Sequence, residues 1–200
     1  MDATAPPHVE LVRAFVNTRD LDDGSEALAD GPALTDWLRG RELLPPGAVA
    51  DDGDAALARE LREALRDTLT AQHDGVPAPA AQQRLDDVAA ALPLRVTFAA
   101  TTPTLAPVGT DARAGLAGVL AAVGEAAADG SWSRLKVCPA DDCRWAFYDT
   151  SRNRSRTWCS MQVCGNRTKT RAFRARRRSG TSLPSGPATG AATREDVHHD

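Results

Sequence analysis

The chain is poor in aromatic residues, nearly devoid of lysine, and without cysteine outside one stretch of 27 residues. Aromatics make up 4% of the sequence, so a core has to be built from leucine, valine and alanine. No run of about 18 apolar residues occurs, which excludes a membrane-spanning helix. The opening MDATAPPHVELVRAF has an acid at its second position and no basic stretch leading into an apolar one. A secretory signal is therefore not expected, and a cytoplasmic chain with reduced thiols is. No Gly-rich phosphate loop, HExxH pair or nucleophile motif stands out, so the chain is not expected to be an enzyme. Lys136 and Lys169 are the only lysines; the other 22 of 24 basic residues are arginine. That preference resembles GC-rich coding bias and says little about function.

The position of the charge says more. The net charge of −3 conceals 10 arginines against 21 acids in residues 1–133, and 13 basic residues against 3 aspartates in 134–178. An acidic body thus carries a basic binding surface. Hydrophobic content of 42% suffices for a packed core. Two hundred residues allow one ordinary domain and a small appendage.

The periodicity predicts a mainly helical α+β chain. Val9, Val12 and Val16, with Leu11 and Phe15, recur at helical spacing. Residues 31–44 read as a second helix, with Pro32 in its first turn and Leu34, Trp37 and Leu38 on one face. Leu57, Leu61, Leu65 and Leu69 mark a third over 54–72. Leu85, Val88 and Leu92 mark a fourth over 80–91. Leu94, Val96 and Phe98 alternate with Arg95 and Thr97 as a strand, which 104–108 closes into a short hairpin. A fifth helix covers 111–129, capped by Thr110 or Asp111 and ended by Gly130. Asp22, Asp23, Asp51, Asp52 and Asp54 read as solvated loop acids. The expected domains are 1–133, 134–178 and a Ser-, Gly- and Pro-rich disordered tail over 179–200 that contains His198 and His199.

All four cysteines follow the pattern Cys138-x4-Cys143-x15-Cys159-x4-Cys164. In a reducing compartment, two close pairs brought together by a chain reversal suit one tetrahedral Zn²⁺. Four thiolates leave no place for water, so the metal is expected to be structural. A disulfide pair and an Fe–S cluster are the alternatives. Zinc and four thiolates together carry about −2, which trims the module's positive charge. The expected layout is treble-clef-like. A knuckle at 138–143 leads into a strand at 145–149, a turn at 151–155, a return strand at 156–158, and a helix from Val163 through Arg178. Trp145, Phe147 and Trp158 would form its small core.

The segment WAFYDTSRNRSRTWCSMQVCGNRTKTRAFRARRR closely resembles the CGNR zinc finger, the eponymous residues being Cys164-Gly165-Asn166-Arg167. AFVNT at 14–18 and EALADGPALTDWLRGRELL resemble, more loosely, the ABATE domain that precedes this finger. The resemblance implies a mainly helical N-terminal domain and transcription regulation linked to stress; the four ligands themselves lead to an expectation of one zinc per chain.

The basic segment points to nucleic acid, with DNA preferred. Arg167, Arg171, Arg174 and Arg178 share one helical face, and Lys169, Arg176 and Arg177 add charge around it. Arg152, Arg154 and Arg156 extend the surface from the turn. Gly165 and Asn166 read better as buttresses of the metal site than as base readers, and Trp145 and Tyr148 better as packing than as stacking platforms. RNA binding, or docking of the basic face on an acidic protein surface, are the competing uses. A homodimer and a small-molecule effector of the N-terminal domain complete the expected partners; no membrane is among them.

Overall fold

A computed structural model of the chain describes residues 4–98 and 102–179, with side chains through Arg176. Five helices, a β-hairpin and the metal-binding segment follow one another along it. Helix α1 spans Pro7–Val16 and buries Val9, Val12, Phe15 and Val16. Helix α2 spans Gly31–Arg39 and stops there, five residues short of the expected end. Its carbonyls are satisfied at Gly40, and Glu42 then turns into the left-handed region at φ 58°. Leu43 and Leu44 therefore pack on the core from a loop rather than from a helical face.

Helix α3, Asp52–Asp74, is the central strut. Its start is a capping box: the Asp51 carboxylate accepts from the Asp54 N–H, and the Asp54 carboxylate accepts from the Asp51 N–H. The Asp52 carboxylate accepts from the Gly31 N–H at 3.0 Å. These three acids terminate helices and are not the free solvated charge that sequence suggested. Helix α4 spans Pro79–Ala89, and α5 spans Ala112–Ala128 with Asp111 as its cap. Strands β1, Leu94–Thr97, and β2, Thr104–Pro107, pair antiparallel with Val96 opposite Leu105. The hairpin lies against α5, where Leu105 and Pro107 reach over Gly124 and Gly118.

Gly31 is fixed by close approach. A Cβ there would lie 2.6 Å from the Ala50 carbonyl oxygen and 2.8 Å from the Asp51 carbonyl carbon. Both are backbone atoms held by the α3 cap, so nothing cheap can move aside. Gly31→Ala is expected to cost about 2 kcal/mol and lower Tm by roughly 4–8 °C. Thermal denaturation followed by circular dichroism checks this; an unchanged Tm would show that the loop yields.

Two arginines lie fully inside. Arg62 is 1% and Arg66 2% exposed, both on α3. Arg62 pairs with Glu26 at 2.5 Å and Glu63 at 2.8 Å. Arg66 pairs with Glu63 and donates to the Val16 carbonyl. Thr18 donates to the Phe15 carbonyl and receives Arg62 at 3.2 Å. The network sews segment 16–28 onto α3.

The same core continues into the segment that follows. Strands β3, Leu135–Val137, and β4, Ala146–Tyr148, pair antiparallel. Leu135, Val137 and Ala146 belong to the main hydrophobic cluster together with α1, α3 and α5. Asn17 acts as an extra strand residue: its amide donates to the Ala146 carbonyl at 2.9 Å and accepts the Ala146 N–H at 2.7 Å. No helix among the described residues is long and apolar enough to cross a membrane.

Candidate metal centre and basic helix

The four cysteines come from three places. Cys138 leaves β3 and donates its N–H to the Trp145 carbonyl, 2.9 Å away. Cys143 closes the knuckle with its N–H on the Ala140 carbonyl, and Arg144 follows in the left-handed region at φ 48°. Cys159 ends the loop after β4. Cys164 sits in a π-helical turn, Met161–Gly165, whose start is capped by the Ser160 hydroxyl. The hairpin is thus β3 with β4, one strand on each side of the knuckle. Residues 156–158, expected to be the return strand, form none, because the Arg156 N–H is taken by the Asp149 carboxylate at 3.0 Å.

All four sulfurs lie within 4.8 Å of one another. Cys143 and Cys159 Sγ are 3.5 Å apart, and Cys159 and Cys164 Sγ 3.6 Å. A tetrahedron with Zn–S bonds of about 2.3 Å has edges of about 3.8 Å, so the donors fit one zinc ion. These separations are far too long for a disulfide, which needs about 2.05 Å. The surroundings suit thiolate. Burial works to raise the Cys138 thiol, but backbone N–H groups of Cys159 and Ala140 aim at its sulfur and bring it below the ordinary value. Burial pushes the Cys143 thiol up to about 12 and the Cys159 thiol higher still. Without a dication, these sulfurs would hold their protons; zinc binding displaces them. Four cysteines therefore hold one structural zinc per chain.

The cluster around the sulfurs is small: Ala140 and Phe147 are buried with Cys138 and Cys164, and Trp158 packs against them. Trp145 is not part of it. Its half-buried side chain lines a surface cleft together with Glu10 and Arg13 of α1, and its support of the centre runs through its backbone carbonyl, which accepts from the Cys138 N–H. Gly165 is buried; a Cβ there would meet Met161 Sδ at 2.4 Å and Trp158 Cδ1 at 3.3 Å. The Asn166 amide donates to the Gln162 carbonyl at 3.1 Å, bracing the π turn.

Two aspartates that sequence reasoning did not single out organise the region. Asp149 is 0% exposed. Its carboxylate takes Lys136 Nζ at 2.7 Å, the Ser151 N–H at 2.9 Å and hydroxyl at 2.6 Å, and the Arg156 N–H at 3.0 Å. Burial opposes its ionisation, but Lys136 and Ser151 prevail and hold it down at about 2. The Asp-x-Ser pattern was the available signal, since such a side chain commonly closes a turn on the backbone two residues on. Asp142 lies inside the knuckle and receives Arg171 at 2.8 Å and Arg167 at 2.7 Å. Those two guanidiniums bring it down to about 2.

Helix α6, Asn166–Ser179, leaves this centre. Every residue from Lys169 to Arg176 is exposed. The arginines expected to share a nucleic-acid face divide into two groups. Arg167 is held by Asp142 and by Asp22 at 3.1 Å, and Arg171 by Asp142. Arg154 donates to the Ser133 hydroxyl at 2.8 Å. Arg156 donates to the Trp158 and Cys159 carbonyls and lies 5.0 Å from the Phe147 ring centre. By contrast, Arg152, Lys169, Arg174 and Arg176 are exposed with no ion-pair partner among the described residues. The side chains of Arg177 and Arg178, and residues 180–200 of the expected tail, lie outside the described residues.

The centre is also joined to the helices before it. Arg144 donates to Asp67 at 3.1 Å and Thr70 at 3.2 Å on α3. Gln72 donates to the Trp132 and Leu135 carbonyls. His73 sets its ring against Phe147, centroids 6.3 Å apart. Burial, aided by the charge of Lys136, lowers its pKa and keeps it neutral.

Comparison with known proteins agrees with this layout. None of the curated proteins matches the chain. A family model described as CGNR zinc finger matches residues 134–177. Another, ABATE, described as "Putative stress-induced transcription regulator", matches residues 10–130. With more than half its length matched by that second model and the zinc-binding cysteines following directly, the chain belongs to the ABATE family and carries a CGNR zinc finger.

Proposed function

We propose that this protein is a DNA-binding transcription regulator whose zinc finger presents α6 to DNA while the N-terminal domain senses a ligand or mediates assembly. The observation that carries the reading is α6 itself. It holds seven basic residues and no acid between Asn166 and Ser179, it is exposed from Lys169 to Arg176, and the zinc site fixes its first turn. A polyanion is the partner that such a helix suits. A cleft of about 710 Å³ between α3 and α4, lined by Arg19, Leu57, Arg59, Arg84 and Val88, supports the sensing role. The rival use, docking on an acidic protein surface, draws support from Asp22, which already occupies Arg167.

Fluorescence anisotropy of the zinc-loaded chain with a labelled 20-base-pair duplex tests the reading across a salt series. If about four phosphates are neutralised, log K falls against log salt with a slope of about −3.6. A flat line with duplex, or salt-dependent binding of an acidic peptide with none of the duplex, would overturn it.

A further inference from the structure

The cleft of about 710 Å³ between α3 and α4 sorts its charges by side. Measured from Ala56 at about 100° per residue, Arg59 and Arg62 fall to one flank of α3, and Glu60 and Leu57 to the other. The segment that follows α1 lies along the cationic flank. Arg62 binds Thr18 and Glu26 there, and Arg59 Nη1 donates to the Leu28 and Ala29 carbonyls at 2.7 and 2.9 Å. Arg19, on the same segment, also lines the cleft, and Asp87 and Val88 close it from α4. Some of the lining charges are cancelled within the protein. Arg62 and Glu63 belong to the network that ties Glu26 to α3, and Arg84 is taken by Asp67. Others are not. Among the described residues, Arg19 and Arg59 have no carboxylate at ion-pair distance, and Glu60 and Asp87 no cation. Arg59 is the decisive one. Its guanidinium is half-buried and oriented by two neutral carbonyls, which leaves its charge uncompensated.

Resting on the reading of the N-terminal domain as a sensor, we infer that this cleft binds a small zwitterion with an apolar side chain, of the amino-acid type. Its carboxylate sits between Arg19 and Arg59, its ammonium faces Glu60 and Asp87, and its side chain lies on Ala56, Leu57 and Val88. The Arg59 Nε and Nη2 groups, not engaged by the two carbonyls, suit a carboxylate as a fork. Other small ligands fit less well. A phosphate or dicarboxylate would bring surplus negative charge against Glu60 and Asp87. A purely apolar molecule would strip water from Arg59 and return no partner. The room suffices, since small-molecule sites commonly enclose about 300–1,000 Å³. The site also adjoins the contact with α6: Arg19 lines the cleft, and Asp22, farther along the same loop, holds Arg167 at 3.1 Å.

The test is a nuclear magnetic resonance titration of the full, zinc-loaded, isotope-labelled chain with compounds that share a phenylethyl body. These are phenylalanine, 3-phenylpropionate, which lacks the amine, and 2-phenylethylamine, which lacks the carboxylate. Phenylalanine is expected to bind with a Kd of about 1 mM or tighter. Each truncated compound should bind about tenfold more weakly, the value of a hydrogen bond to a charged group. Arg19→Gln should weaken phenylalanine and 3-phenylpropionate by about tenfold and leave 2-phenylethylamine unchanged. Arg59→Lys, which keeps the charge but not the fork, should weaken the same two compounds. Glu60→Gln should weaken phenylalanine and 2-phenylethylamine and leave 3-phenylpropionate unchanged. Arg19 and Glu60 are exposed, and far-ultraviolet circular dichroism confirms that each variant remains folded. No binding of phenylalanine, equal binding of all the compounds, or variants that weaken them all alike overturns the site. Duplex anisotropy on the same sample separates this from the DNA-binding reading. Salt-dependent duplex binding without phenylalanine binding removes the site and leaves that reading in place. Phenylalanine binding without duplex binding sustains the site and removes the reading.

Discussion

Removing the zinc is expected to unfold the knuckle and the segment from Asp149 through α6 while leaving α1–α5 and the β3–β4 pair in place. The reason lies in how the two hydrophobic clusters are divided. Leu135, Val137 and Ala146 belong to the large core. The metal cluster buries Cys138, Ala140, Phe147 and Cys164, with Trp158 leaning on them. So few apolar groups cannot offset the entropy of ordering the chain around them, which is about 1–2 kcal/mol per residue. Metal binding adds about 10–16 kcal/mol for structural zinc near neutral pH, and its loss removes that contribution. Chelation should release one zinc per chain, and hydrogen exchange should lose protection across 138–143 and 149–176 but keep it in α3 and α5. Cys159→Ser should weaken zinc beyond the roughly 10- to 100-fold that losing an outer-shell partner costs. It should weaken DNA binding as well, because α6 would lose its fixed first turn. Stoichiometric zinc in Cys159→Ser, or unchanged exchange after chelation, would refute this account.

How far the sequence displays this arrangement depends on whether a feature is local. The helical stripe of α3 is local: Leu61, Leu65 and Leu69 are buried where their spacing places them. The cysteine pairs are local too, and their geometry agrees with one tetrahedral ion. Arg62 and Arg66 were not legible, because arginine at helical spacing reads as a solvated face. Their burial depends on Glu26, Glu63 and the Val16 carbonyl, brought from elsewhere in the chain or aimed inward by packing. The hairpin of the finger was assigned to the wrong partner for a related reason. Arg156-Thr157-Trp158 has a plausible strand composition, but β4 pairs with three residues that precede the knuckle and have too little length to show alternation. Asp142 and Asp22 decide which arginines of α6 stay free, and charge pairing across 25 or 145 residues leaves no periodic mark. The AFVNT segment was recognised only by resemblance. Its physics is now visible: Asn17 extends the β4 ladder and Thr18 receives Arg62.

Asp149→Asn is expected to destabilise the finger by about 3–5 kcal/mol, the cost of breaking a buried charge pair by removing one partner. Asparagine keeps the shape but reverses part of the hydrogen bonding. Its NH₂ would face Lys136 Nζ, the Ser151 N–H or the Arg156 N–H, all of them donors. Lys136 would keep its bonds to the Arg154 and Arg156 carbonyls but lose its counter-charge at 14% exposure. Once the 149–156 turn loosens, Arg156 loses its hold on the Cys159 carbonyl, and zinc should leave faster. The pH dependence separates this effect from the chemistry of the thiolates. The folded carboxyl titrates at about 2 against an ordinary 3.8. A depressed carboxyl stabilises fully above its unfolded value and ceases to do so as pH falls through the folded one. The contribution of Asp149 is therefore constant from pH 8 down to about 5, and zinc loss in that range reflects protonation of the cysteines. Zinc release to a chromogenic chelator, measured at pH 5, 6.5 and 8, should show wild type and Asp149→Asn both accelerating in acid with a constant ratio between them. A ratio that collapses toward one by pH 5 would mean that the Asp149 carboxylate is already protonated there, and that the turn is held by something else.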